Sequence, residues 1–194
     1  LSLTMGPDAF SQAFGDSFRT FGFGVVTDHG IDATTLKRAW EITREFFDLP
    51  VEEKQKYFIE GQAGARGYTP FGTEIAKDAK KVDLKEFWHV GRDLPEGHRF
   101  RSHMADNIWP SEIPDFKPVF QRLFAEYDAA GDKMLAAIAK YLGLAPDYFD
   151  AVVENGNSVM RLLHYPPIAP DADGIRAEAH GDINLITLLL GAEE

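Results

Sequence analysis

His180 and Asp182 flank a single glycine in the stretch RAEAHGDINLITLLL, residues 176–190, and an apolar run over 183–190 follows at once. Burying either polar group costs free energy unless it is paired or bound to a metal. On a strand, residues i and i+2 project from one face, so the imidazole and the carboxylate converge on one point. Gly181 then faces the other way and permits close backbone approach. Two such ligands and a second His from a distant strand make a facial triad on Fe(II). That triad leaves three positions for a bidentate 2-oxo acid and O2. Alone, His-x-Asp is a weak signal. The chain has six histidines, and a polar pair at a strand end is the commoner origin of this motif taken alone.

Other side chains are weaker candidates. Arg176 suits a substrate carboxylate or a plain strand edge. Asn184 continues the face of His180 and Asp182 and is placed beside the metal. Arg66 and Tyr68, on a glycine-rich loop, are candidates for substrate contact. His29, in DHGI, reads as a structural turn residue. The chain contains no P-loop, no GxSxG and no GxGxxG.

Composition removes several classes. There are no cysteines, which excludes disulfides, zinc-thiolate sites, iron–sulfur clusters and a Cys nucleophile. The net charge of −11 argues against nucleic acid and anionic membrane as partners, because phosphate surfaces need a basic footprint. No apolar stretch approaches the ~18 residues of a membrane span. The first residues, LSLTMGPDAF, lack a basic and then apolar leader pattern. These points imply a cytoplasmic protein and leave its oligomeric state open. The chain starts at Leu1 and stops just beyond an apolar run, so it is expected to be a piece of a longer product.

The elements that must hold these residues follow from periodicity. Residues 7–20 predict a helix, with Pro7 in its first turn and Phe10, Phe14 and Phe18 on one face. Residues 22–30 predict a short strand and turn. Residues 32–49 predict a helix capped by Asp32, with Leu36, Trp40, Thr43 and Phe47 on its apolar side. A short helix follows Pro50. Residues 60–110 are loop-rich, with extended segments at RGYTPFG and LKEFWHVG. A long helix is expected over 114–142, a helical turn after Pro146, and strands over 157–166, 175–180 and 183–190.

Taken together, these segments resemble the isopenicillin N synthase-like family of Fe(II)/2-oxoglutarate-dependent dioxygenases. The resemblance covers nearly the whole chain. It rests on TFGFGVVTDHGI (20–31), REFFDLPVEEKQKY (44–57), RGYTPFG (66–72), DLKEFWHVG (83–91), MRLLHYPP (160–167) and RAEAHGDINLITLL (176–189), in order and at matching spacing. It implies that His180 and Asp182 are the first two iron ligands, and that Tyr165 of the YP pair binds a carboxylate of the co-substrate, or of the peptide in the synthase itself; a core tyrosine beside Pro166 is the other reading of that residue. Leu163 stands where many plant members have Asn. The family's second His ligand and its Arg-x-Ser segment match nothing in this chain, and His89 and His164 match no ligand position.

The resemblance further implies a mixed α/β fold: a double-stranded β-helix, or jelly-roll, core with an N-terminal helical region and a long flanking helix. The division expected is 1–110 as the N-terminal region, 111–155 as long helix and connector, and 156–194 as the first part of the core. The implied activity is Fe(II)- and 2-oxoglutarate-dependent oxidation of a small organic molecule with O2. Two alternatives stand beside it: an oxidase of the same family that uses no 2-oxo acid, and an inactive binding module on the same scaffold.

Overall fold

Helix α1 (Pro7–Phe21) starts on a proline whose fixed φ suits the first turn, and ends at Gly22 in the left-handed region, φ 78°, whose N–H returns to Phe18 O. Further helices are α2 (Ala33–Phe47), α3 (Val51–Gln55), the long α4 (Phe116–Tyr141) and the short α5 (Asp150–Val153). Three strands, β1 (Gly67–Thr69), β2 (Glu86–Gly91) and β3 (Val159–His164), form an antiparallel sheet in the order β1-β2-β3. The computed structural model describes residues 1–62, 64–75, 81–177 and 179–191. It is mixed α/β. By contacts it forms two compact units. One holds Leu1–Lys37, Gln121–Gly156 and the stretch from Asn184; the other holds Arg38–Phe120 and Asn157–Ile183.

In the first unit, Phe10 and Phe14 stack at 5.1 Å and bury against Ala130, Met134 and Ala137 of α4. A Cβ at Gly15 would lie 2.2 Å from the Tyr141 ring, so glycine is what permits this approach. Ser11 Oγ donates to Ala137 O at 2.7 Å. Asp32 caps α2 as expected: its Oδ1 accepts from Thr35 N at 2.7 Å and Thr35 Oγ1 at 3.0 Å.

In the second unit the sheet has two distinct faces. Tyr68, Glu86, Trp88, Leu162 and His164 share one, by register and alternation. That face meets the end of α2 and the start of α4 through aromatic rings: Phe46–Trp88 at 4.8 Å, Trp88–Phe116 at 5.1 Å and Phe46–Tyr68 at 5.8 Å. The opposite face carries Thr69, Phe87, His89, Arg161 and Leu163. Every residue of β2 is buried, as expected for a strand covered on both sides. The buried stripe of α2 runs through Thr35, Ala39, Ile42 and Phe46. Of the expected stripe, Thr43 and Phe47 are buried beside it, while Leu36 and Trp40 are half-buried, because the edge-on Phe46–Trp88 contact turns the Ala39–Ile42–Phe46 side toward the sheet.

Three expected strands are not formed among the described residues. At 22–30 only Thr27 bridges, to Ser2. At 175–180 only Ile175 bridges, to Asp83, and Glu178 lies outside the described residues. Residues 183–190 carry no strand pairing. Their apolar run predicts burial on both faces, yet Ile183, Leu185 and Leu189 are exposed while Ile186 and Leu188 pack against the Phe10–Phe14 cluster. Alternation survives without a ladder: apolar pattern sets which side chains point inward, but a strand requires a neighbour to take its N–H and C=O groups.

Candidate active site

His180 Nε2 lies 3.7 Å from Asp182 Oδ1, with both side chains about half exposed. The two expected ligands are therefore brought together, in an irregular segment and not on a strand. Among the described residues no group of three or more His, Cys, Asp or Glu converges in a way that could hold a metal. Tyr165 and Arg176 also meet. Arg176 Nη1 donates to Tyr165 O at 3.2 Å, and its guanidinium sits 5.9 Å from the Tyr165 ring centre. The segment carrying Arg176 is anchored by Leu84 N, which donates to Ile175 O at 2.7 Å. Asn184 donates to Ile186 O at 2.6 Å and Thr187 Oγ1 at 2.9 Å, so its amide braces its own segment.

Arg66 and Tyr68 are both buried, at 2% exposure. The Tyr68 hydroxyl donates to Glu86 Oε2. Glu86 also takes Lys54 Nζ at 3.0 Å on each oxygen and stands 2.7 Å from His164 Nδ1. Burial acts to raise the Glu86 carboxyl, but bonds from Tyr68, His164 and Lys54 outweigh it and hold the group below the usual range. Burial and the Glu86 contact push the Tyr68 phenol upward. This cluster floors a cavity of about 390 Å³ whose walls include Phe47, Val51 and Phe71. Arg66 donates to Ala65 O at 2.6 Å and Asn157 Oδ1 at 3.2 Å, while its Nε has no hydrogen-bond partner.

On the opposite sheet face lies a constellation that motif reading passes over. His89 Nδ1 stands 2.6 Å from Gly64 O, and Arg161 Nε donates to His89 Nε2 at 2.6 Å. An accepting Nε2 assigns the imidazole proton to Nδ1 and makes the ring neutral. Burial, then the Arg161 charge, lowers the His89 pKa to about 4. Arg161 sits 4.6 Å over the Phe87 ring and reaches Glu74 at 3.2–3.3 Å. The available signal is the alternation Lys85, Phe87, His89 in LKEFWHVG, which puts two polar groups on one face of a strand.

Residues 2–112 match the family model for the N-terminal region of non-haem dioxygenases in morphine synthesis. The chain belongs to the Fe(II)/2-oxoglutarate-dependent dioxygenase family. It is 32% identical over 179 residues to a 2-oxoglutarate-Fe(II) type oxidoreductase of Aspergillus fumigatus, covering 87% of this chain and 53% of that protein. It is 33% identical over 183 residues to flavanone 3-dioxygenase 2 of Oryza sativa subsp. japonica, covering 94% and 51%. A solved 2OG-Fe(II) oxygenase family protein from Caulobacter crescentus superposes with a TM-score of 0.83 at 51% identity, covering 95% of this chain and 60% of that one. A Neurospora crassa protein solved in complex with alpha-KG and thymine gives 0.66 at 28% identity, covering 80% and 49%. This dioxygenase chain thus spans about half the length of the curated relatives it matches.

Proposed function

We propose that this chain supplies two metal ligands and part of the co-substrate site of a non-haem Fe(II)- and 2-oxoglutarate-dependent dioxygenase that oxidises a small organic molecule. The observation that carries the reading is the 3.7 Å approach of His180 Nε2 to Asp182 Oδ1 in a chain of this family. Two metal–ligand bonds of about 2.1 Å span at most about 4.2 Å, so one ion fits both donors. An imidazole and a carboxylate without thiolate suit Fe(II) with open positions. Iron, 2-oxoglutarate and O2 supply the oxidising power.

The chain's own contribution is placement. His180 and Asp182 hold the metal. The Tyr165 phenol donates a hydrogen bond to a 2-oxoglutarate carboxylate. Arg176, set against the Tyr165 ring and backbone, keeps that phenol in place. Strand β3 and the segment 183–190 belong to the first part of the family's double-stranded β-helix in this reading. The name of the rice relative and the thymine bound to the Neurospora crassa protein support a small organic substrate.

The test is calorimetric titration of the Fe(II)-loaded full-length protein with 2-oxoglutarate. Asp182→Ala is expected to abolish iron and 2-oxoglutarate binding together. Tyr165→Phe is expected to weaken 2-oxoglutarate by about 1 kcal/mol, one hydrogen bond to a charged acceptor. No binding at millimolar 2-oxoglutarate in an iron-loaded protein would sink the assignment in favour of the oxidase alternative.

A further inference from the structure

The sheet face bearing Phe87 and His89 gathers cations. Lys85 precedes β2 on this face, and Arg161 projects from β3. The Arg66 guanidinium covers Gly91, where a Cβ would fall 1.9–2.2 Å from it. Among the described residues, the carboxylates paired with these side chains are Asp83 and Glu74, both on Lys85 Nζ at 2.7 Å, and Glu74 is shared with Arg161. Asp93 acts on Arg66 through its charge. The hydrogen-bond partners of Arg66 are a carbonyl and an amide oxygen, and its buried Nε has none.

Arg161 is the reachable member of this group. Its side chain is 38% exposed. A guanidinium has five N–H donors. Among the described residues, one goes to His89 and one from each terminal nitrogen points toward Glu74, which leaves two. The planar group is held on one face by the Phe87 ring and at its Nε edge by the His89 acceptor, so little rotamer freedom remains to be lost on binding. Tyr165, one residue beyond β3, follows the same alternation as Arg161.

We propose that this face selects a substrate bearing a carboxylate, with Arg161 as the specificity-determining contact and His89 as its positioning residue. The proposal rests on the dioxygenase reading and names the substrate class for it. An anion on Arg161 could come from the substrate or from 2-oxoglutarate, and the experiment separates the two.

Fe(II)-loaded full-length protein saturated with 2-oxoglutarate is titrated with phenylacetate and with its neutral match phenylacetamide. The expected preference for the acid is about tenfold, the scale of one charge-assisted pair. Arg161→Met is expected to reduce it below about threefold. Glu74→Gln removes the competing carboxylate and is expected to tighten the acid by about threefold or more, with the amide unchanged. A merely structural role for these residues predicts no gain from Glu74→Gln, so that variant decides the matter if Arg161→Met does not fold. Equal binding of acid and amide to the wild type, or a preference that survives Arg161→Met, overturns the proposal. A matching rise in the 2-oxoglutarate Kd in Arg161→Met also overturns it, by assigning the anion to the co-substrate. Failure of the dioxygenase reading itself shows separately, as no 2-oxoglutarate binding in the wild type.

Discussion

His89 is a neutral, buried acceptor, and that state has a pH signature. Its pKa is about 4 when folded, against 6.5 for the ordinary side chain. Below pH 6.5 the unfolded chain takes up a proton that the folded chain refuses until about pH 4. Stability therefore falls as pH drops through that window, by roughly 3 kcal/mol at most. Urea midpoints measured from pH 7.5 to 4 are expected to fall more steeply for the wild type than for His89→Gln, and parallel lines would refute this. Gly91 and Arg66 form a second pair at this scale. Gly91→Ala must displace the guanidinium, an overpacking cost of about 2 kcal/mol in thermal unfolding. Neither role is written in the letters. The sequence marks Arg66 as a substrate residue, but its 2% exposure and partners Ala65 and Asn157 come from folding RGY beneath β2 and the start of β3.

Helices and strands differ in how far their local sequence decides them. Helix α1 and the cap of α2 follow from Pro7, Gly22 and Asp32, because helical hydrogen bonds close within the segment. Strands β2 and β3 are legible from apolar, β-branched and aromatic runs. The pairing that makes a sheet face is not, since it joins residues far apart in the chain, such as Glu86 and His164. The Lys54–Glu86 pair, with side chains 6% exposed, joins α3 to β2 across one such gap. Lys54→Met leaves a buried carboxylate short of its cation and is expected to cost about 3 kcal/mol or more in denaturant unfolding. Adding Glu86→Gln should recover at least about 1 kcal/mol of that loss, as a coupled pair requires. Strict additivity of the two substitutions would show that Tyr68 and His164 alone satisfy Glu86.

At the scale of the molecule, α2 and α4 each contribute to both compact units. The first unit leaves Phe21, Phe23 and Val25 largely exposed, together with Leu185 and Leu189. Large apolar patches drive association. The chain of 194 residues is thus expected to bind a hydrophobic dye and to self-associate in light scattering, and Leu185→Lys with Leu189→Lys should reduce both. A monodisperse, dye-silent chain would contradict this. The order and spacing of short motifs by themselves determined the family, the helices and the identity of the His-x-Asp pair. Those signals are local: a cap, a proline, a period, a histidine and an aspartate one residue apart. Tertiary structure alone decided that His180 and Asp182 meet at 3.7 Å off any strand, that Tyr68 serves Glu86, and that His89 holds Arg161. Each of the last two contacts joins side chains distant in sequence, and whether a polar group faces solvent, ligand or another buried charge depends on what the fold places opposite it.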